Sequence, residues 1–296
     1  MLVAAVLAEL GGLATRAVLI EATSRREVDG ALRRGEVVAL SRGRYALPRV
    51  RTAAATAHAL RGVLSHTSAA LHHGWEVKLV PDRPHVTVPR NRRVSSRDRA
   101  VADIHYAVIA PEDISDGVAT GVELTLLQCL RTLPDDEALA VADSALRHGV
   151  PPATLRRVAM SVRGAGSEKV RRIAAMARGE AANPFESCLR LIASTVPGLC
   201  VRPQVRLAGT SMRPDLVDVD LALVLEADSF GWHGDRVALR RDAQRYNAMV
   251  VNGWLVLRFA WEDVMFAPDY VRGVLMRIVG LVAKRAEPCC SHECSA

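Results

Sequence analysis

Apolar positions recur at helical spacing over residues 2–10, and Gly11-Gly12 ends that run. Thr15 is placed to cap a helix over 16–22, and Ser24 to cap one over 25–34. Glu27, three residues after Ser24, completes a capping box. The second of these helices would bury Val28, Ala31 and Leu32 and turn Arg25, Arg26, Asp29 and Arg33 the other way, before Gly35 stops it. Residues 37–40 and 45–47 then alternate around Ser41-Arg42-Gly43-Arg44, a hairpin pattern with a basic tip.

The middle of the chain is patterned less sharply. Ser65 is placed to cap a helix through His72, residues 85–89 and 103–108 alternate like strands, and 124–133 and 136–148 have helical spacing. Arg90, Arg92, Arg93, Arg97 and Arg99 form a basic loop, which either meets phosphate or is simply solvated. His66, His72 and His73 make no metal set in this reading and are taken as ordinary polar or core histidines. From Asn183 the pattern sharpens to α-β-β-β-α-β-α. It has a helix over 184–195, weak alternation over 201–207, and a strand pair over 213–219 and 222–228. A helix over 237–252, a hydrophobic, buried-type strand over 254–260 and a closing amphipathic helix over 268–284 complete it.

Composition narrows the classes. Half of the 296 residues are apolar and 24% are charged, which is globular composition, with length for about two domains. No apolar run approaches the ~20 residues of a membrane span. The apolar start lacks a basic leader and meets Glu9 at once, so a short amphipathic helix is expected there rather than a signal peptide. With six cysteines and no export signal, a reducing cytoplasm is the expected compartment. The net charge is +7, and only Lys78, Lys169 and Lys284 among the 39 basic residues are lysines. Residues 1–110 hold 17 basic and 9 acidic side chains, so all of the excess lies there. Arginine's permanently charged planar fork suits phosphate, which makes DNA the expected partner.

Three helices followed by a hairpin form a winged helix-turn-helix layout. In it, Arg25, Arg26 and Arg33 would read the major groove or meet phosphate, and Arg42 and Arg44 would be wing contacts. The segments Gly11-Gly-Leu-Ala-Thr-Arg16, Ser24-Arg-Arg26, Arg34-Gly-Glu-Val-Val38 and Arg42-Gly-Arg-Tyr-Ala-Leu-Pro48 resemble the N-terminal domain of abortive-infection (AbiEi-type) antitoxins. Ser65-His-Thr-Ser-Ala-Ala-Leu71 and His85-Val-Thr-Val-Pro-Arg-Asn-Arg-Arg93 are similar to the middle of such proteins. The resemblance spans about residues 1–150 and implies a DNA-binding regulator, with homodimerisation possible.

The third region carries the candidate chemistry. Glu226 and Asp228 stand at i and i+2 at the end of an apolar strand, so they share a face. Two acids there repel unless a cation lies between them. With Asp215 from the paired strand they form an oxygen set suited to Mg²⁺ or Mn²⁺. Pro214-Asp215 followed by Glu226-Ala-Asp228 is the pattern of the PD-(D/E)XK nucleases, except that the usual final lysine is Asp228. Trp232-His233-Gly234, Arg241-Asp242, Gly253-Trp-Leu-Val-Leu-Arg-Phe259 and Trp261-Glu-Asp-Val264 look like the very-short-patch-repair (Vsr-like) endonuclease group over about residues 183–280. That resemblance implies a four-stranded mixed sheet flanked by helices and metal-dependent phosphodiester hydrolysis.

Carried over by position, the resemblance assigns several roles. Asp215, Glu226 and Asp228 would bind metal, and His233 would move the proton. Glu186 would hold a metal-bound water, and Arg241 or Arg258 would contact phosphate. Repair members carry a histidine where this chain has Asp228, which sets mismatch specificity apart from this reading. Cys289, Cys290, His292 and Cys294 are crowded for a zinc site, so zinc is not expected in the tail.

The expectation is therefore an α+β and α/β multidomain chain. It comprises a winged helix-turn-helix over 1–51, a mixed α/β region with a helical linker over 52–182, a restriction-endonuclease-like αβββαβ domain over 183–285, and a Cys/His tail over 286–296. The functional alternatives are a Mg²⁺/Mn²⁺-dependent endonuclease and a non-catalytic DNA-binding regulator.

Overall fold

The computed structural model describes residues 3–10, 12–41, 43–207, 210, 212–228 and 236–286. Its first elements are α1 (Val3–Glu9), β1 (Leu13–Thr15), α2 (Arg16–Ala22), α3 (Arg25–Arg34), β2 (Val38–Ser41) and β3 (Arg44–Ala46). The Thr15 and Ser24 N-cap signals act as read. The Thr15 hydroxyl accepts from Val18 N at 3.4 Å, and that of Ser24 accepts from Glu27 N at 3.2 Å and donates to the Glu27 carboxylate at 2.8 Å. Gly35 ends α3 in the left-handed region (φ 71°). β1 and β2 pair antiparallel on either side of β3. Leu7, Leu19, Val28, Ala31 and Val37 form the core under the helices. Arg16 ties the start of α2 to α3 by bonding Asp29, and it donates to the Tyr45 hydroxyl at 3.4 Å.

The mixed middle follows with α4 (Pro48–Ala59), β4 (Val63–Leu64), α5 (His66–His72), β5 (His85–Pro89), α6 (Ser96–Val101), β6 (Asp103–Ala107), β7 (Ile114–Ser115) and β8 (Ala119–Thr120). The strands form one sheet in the order β6-β5-β4-β8-β7, with β5 parallel to β6 and β4 parallel to β8. Helix α4 and the short strands β4, β7 and β8 carry too little periodicity to be seen in the sequence. Gly62, ahead of β4, lies so close to β5 that an added Cβ would sit 2.6 Å from the Thr87 carbonyl oxygen. Within the basic loop, Arg99 donates to the Tyr106 hydroxyl at 2.9 Å, and its guanidinium lies 5.8 Å from that ring's centre.

Four helices follow: α7 (Val122–Thr132), α8 (Asp135–Arg147), α9 (Pro152–Ser161) and α10 (Ser167–Met176). Asp143 on α8 is fully buried and ties the chain beyond them together. Its carboxylate accepts from Arg178 N and from the Ser187 hydroxyl, both at 2.7 Å.

The described residues gather into two compact units divided between Cys188 and Leu189. The division falls inside α11 (Pro184–Ser194), rather than ahead of it at 182–183. The second unit continues with β9 (Arg202–Pro203), β10 (Leu216–Asp218), β11 (Leu223–Asp228), α12 (Arg236–Val251), β12 (Leu255–Ala260), α13 (Trp261–Phe266) and α14 (Pro268–Ala286). Its sheet has the order β12-β11-β10-β9. β9, β10 and β11 pair antiparallel, and β12 pairs parallel to β11 after the α12 crossover. Two strand expectations change. The weak alternation over 201–207 leaves only the two-residue β9. β12 reads as a buried strand yet is mostly half-exposed, because it forms the edge of the sheet. Asp218, buried at the end of β10, holds the neighbouring chain by accepting from Cys200 N at 2.6 Å and Leu221 N at 3.0 Å.

No described helix is long and apolar enough to cross a membrane. Removing Asp143's carboxylate strands the Arg178 N–H and the buried Ser187 hydroxyl. We expect Asp143→Ala to cost roughly 2–4 kcal/mol, read as a lower urea midpoint, with Asp143→Asn intermediate. An unchanged midpoint would show that this buried acid does not hold the segment.

Candidate functional site

The register of the second sheet decides which acids meet. Val217 on β10 lies opposite Val224 on β11, so two residues further along Asp215 comes opposite Glu226 on the same face. On the other side of β11, Glu226 lies beside Arg258 of β12. One row across three strands therefore reads Asp215, Glu226, Arg258. Asp228, two residues on from Glu226, shares this face, as the i, i+2 rule requires.

Helix α12 covers that face. Met249 and Tyr246 pack with Val217, Val224 and Val256 beneath it. Asp242, Arg245, Tyr246 and Met249 are spaced i, i+3, i+4, i+7, which puts them on one helical stripe. Through this stripe, Arg245 reaches the Glu226 carboxylate at 2.8 Å. Arg258 reaches Asp228 at 2.5 Å, and its guanidinium lies 4.1 Å from the centre of the Tyr246 ring. Asp215 accepts from Ala227 N at 2.8 Å and from the Gln204 amide at 3.4 Å.

Burial sets the protonation. Glu226 is buried and faces Asp215, and these two effects push its carboxyl up to about 7 against the pull of Arg245. Burial also raises Asp215, opposed first by the Ala227 N–H. Asp228 is raised by burial and by Asp242, with Arg258 pulling it back. The Tyr246 phenol is pushed up to about 12 by burial and by the charge on Glu226. Acids with such a tendency to keep a proton, gathered on one face, are a marker of chemical sites.

The sequence placed Asp215, Glu226 and Asp228 together, and the fold brings them to one face of one sheet. It does not put three of their oxygens in mutual ligand distance. Among the described residues, the one group of three potential ligands within 4.8 Å of one another is His66, His85 and His105. The cation needed between the acids is supplied by Arg245 and Arg258. Arg258 is thus a counter-ion of Asp228 as well as a candidate phosphate contact, while Arg241 is exposed on α12. Arg245 and Tyr246 were missed, although their helical spacing to Met249 carries the signal.

Glu186 belongs to the first unit and is buried. Its carboxylate accepts from Ala182 N at 2.8 Å and from the Asn183 amide at 3.3 Å. Asn183 in turn accepts from Glu186 N at 3.0 Å, so the pair caps α11. Arg25, Arg26 and Arg33 are exposed along α3. His233, Arg42, the side chain of Arg44, and Cys289, Cys290, His292 and Cys294 lie outside the described residues.

The histidine group lies in the first unit. His66 opens α5 with a left-handed backbone (φ 50°), a conformation that costs on the order of 1–3 kcal/mol for a residue other than glycine. Its backbone N–H donates to the Gln128 amide oxygen at 3.2 Å. Burial pushes its imidazole down to about 3, and lowers His85 and His105 as well.

No family model matches this chain, and no curated protein matches it.

Because Glu226 binds a proton more tightly folded than unfolded, its contribution to stability is complete below its ordinary value of 4.5. It is lost as the pH rises through about 7. Glu226→Gln is therefore expected to flatten the melting-temperature profile between these pH values in EDTA and to exceed the parent at pH 8. Parallel profiles would show that Glu226 ionises as it does in the unfolded chain.

Proposed function

We propose that the second unit hydrolyses phosphodiester bonds in DNA with the help of a divalent cation, and that the N-terminal segment binds the DNA. The observation that carries this reading is the opposition of Asp215 and Glu226 across β10 and β11 under α12. Support for the fold comes from the order α11-β9-β10-β11-α12-β12, which is the mixed-sheet arrangement that the Vsr-like resemblance implies. Support for the DNA partner comes from three helices ahead of the β2–β3 hairpin, whose sheet β1 completes, with Arg25, Arg26 and Arg33 exposed on the third helix, as a winged helix requires.

The donor set fits a hard cation: the acids are oxygen ligands gathered on one face, and burial, with the charge of Asp215 acting on Glu226, raises their affinity for protons. Asp215 and Glu226, with Asp228, would hold Mg²⁺ or Mn²⁺, which when bound would lower the pKa of a water and offset charge on the phosphate. Arg245 would keep its hydrogen bond to one Glu226 oxygen and orient the carboxylate, since a metal-ligating carboxylate is commonly hydrogen-bonded as well. Arg258, held over Tyr246, would exchange Asp228 for a phosphate oxygen. Arg241 would add a second phosphate contact from α12. His233 remains the proposed proton-transfer group, in the absence of a motif lysine. Glu186 acts in this reading as the cap of α11.

One observation favours a second reading. Glu226 and Asp228 each have a guanidinium partner already, an arrangement that also suits a domain that binds DNA without cutting it. That would be a regulator of the kind the antitoxin resemblance implies.

Incubation with supercoiled, linear, nicked and single-stranded DNA in Mg²⁺, Mn²⁺ or EDTA separates the two. Metal-dependent cleavage that falls about 100-fold or more in Asp215→Ala and Glu226→Ala is expected. Intact DNA on every substrate, with salt-sensitive binding retained, would support the regulator. In either case, replacing Arg25, Arg26 and Arg33 by alanine should weaken binding. It should also flatten the salt dependence by about 0.9 in the log–log slope for each phosphate that is no longer neutralised. An unchanged slope would remove α3 from the interface.

A further inference from the structure

Three histidines from separate elements converge in the first unit. His66 opens α5, His85 opens β5, and His105 lies within β6. His85 Nδ1 and His105 Nε2 are 2.9 Å apart, and the ring of His66 stacks on that of His105 with centres 3.9 Å apart. One ring nitrogen from each lies within 4.8 Å of the other two. We propose that His66, His85 and His105 form a binding site for one divalent transition metal ion, with Zn²⁺ the best match.

The chemistry of the ligands favours a metal over a merely packed cluster. Metals take the neutral imidazole, and burial favours that form at all three positions. Three imidazoles suit zinc, which binds such sets with a fourth position left for water or another ligand. Two nitrogens on one tetrahedral zinc are roughly 3.3 Å apart at the usual bond length. The present 2.9 Å separation would therefore open by only a few tenths of an ångström.

The surroundings agree with this reading. A metal-bound histidine usually has its other ring nitrogen held by a neighbour. His66 Nδ1 is held by the Ser65 hydroxyl at 3.1 Å, which leaves Nε2 for the ion. Asp103, which pairs with Arg83 at 2.6 Å, is close enough to both His85 and His105 to act on their charge. Thr87 is two residues from His85 on the same face and sits beside His105 in the parallel register. Its buried hydroxyl has no hydrogen-bond partner among the described residues. The left-handed backbone of His66 is a further sign, since strain of this kind tends to gather where a side chain must be held in one place.

The test uses the full chain with Cys289, Cys290 and Cys294 replaced by serine, stripped with EDTA and titrated with Co²⁺ and then Zn²⁺. One equivalent of Co²⁺ per chain is expected to give visible bands of a low-coordinate nitrogen site, which Zn²⁺ then displaces. His85→Gln with His105→Gln should weaken binding about 100-fold or more with an unchanged circular dichroism spectrum. If that double variant fails to fold, X-ray absorption of the zinc-loaded chain decides, with three imidazoles expected at about 2.0–2.1 Å. Failure of the folded chain to retain metal would overturn the site. So would binding untouched by the double substitution, or an absorption spectrum without the three imidazoles.

Discussion

Two carboxyl groups that face one another from adjacent strands of a covered sheet must share a proton or find a cation. The second unit is organised around this constraint. Asp215 and Glu226 are brought opposite by the same antiparallel register that stacks Val217 on Val224, so the acids cannot be separated without unpairing the core. The helix that closes the hydrophobic face beneath Met249 also delivers Arg245 to the acids one turn earlier. On the other flank, β12 supplies Arg258 to Asp228 and rests that guanidinium on Tyr246. Packing and charge balance are thus the work of the same three strands and one helix.

Local signals in the sequence carried much of this. The Thr15 and Ser24 caps, the Gly35 stop and the strand leading to Glu226 and Asp228 depend on neighbours a few residues apart, and each is legible for that reason. The i, i+2 rule alone put Glu226 and Asp228 on one side of β11. What the sequence could not convey was register. Asp215 comes opposite Glu226 only through the turn between their strands, and Arg245 meets Glu226 only through the crossover of α12. The strand over 254–260 looked buried because all its residues but Arg258 are apolar, yet position at a sheet edge is a property of strand order. The three histidines were illegible for the same reason: they come from a helix start and two parallel strands, whose pairing joins residues 20 apart in the chain.

The division of the molecule within α11 has a related origin. A helix cap is satisfied locally, so Asn183 and Glu186 fix where α11 begins whatever lies beyond it. The buried Asp143 then draws Ser187 to the first unit, and from Leu189 onward the same helix belongs to the second. A boundary inferred from glycine punctuation marks the end of the preceding segment, whereas the change of core comes a turn of helix later.

The counter-ions of Glu226 and Asp228 are both guanidinium groups, although the chain does contain lysine. Two of its three lysines, Lys78 and Lys169, are engaged with Asp136 and Asp135 in the first unit. A lysine in a buried pocket can surrender its proton and become neutral, whereas an arginine keeps its charge at any pH a protein tolerates. Arg245 and Arg258 can move away from the acids, but they cannot give up a proton to anything that binds there. Among the described residues of that face, the protons that can be transferred are those of the carboxyl groups themselves and of the Tyr246 phenol. Of these, the Glu226 carboxyl is pushed up to about 7 by burial and by Asp215, which brings its own titration into the neutral range.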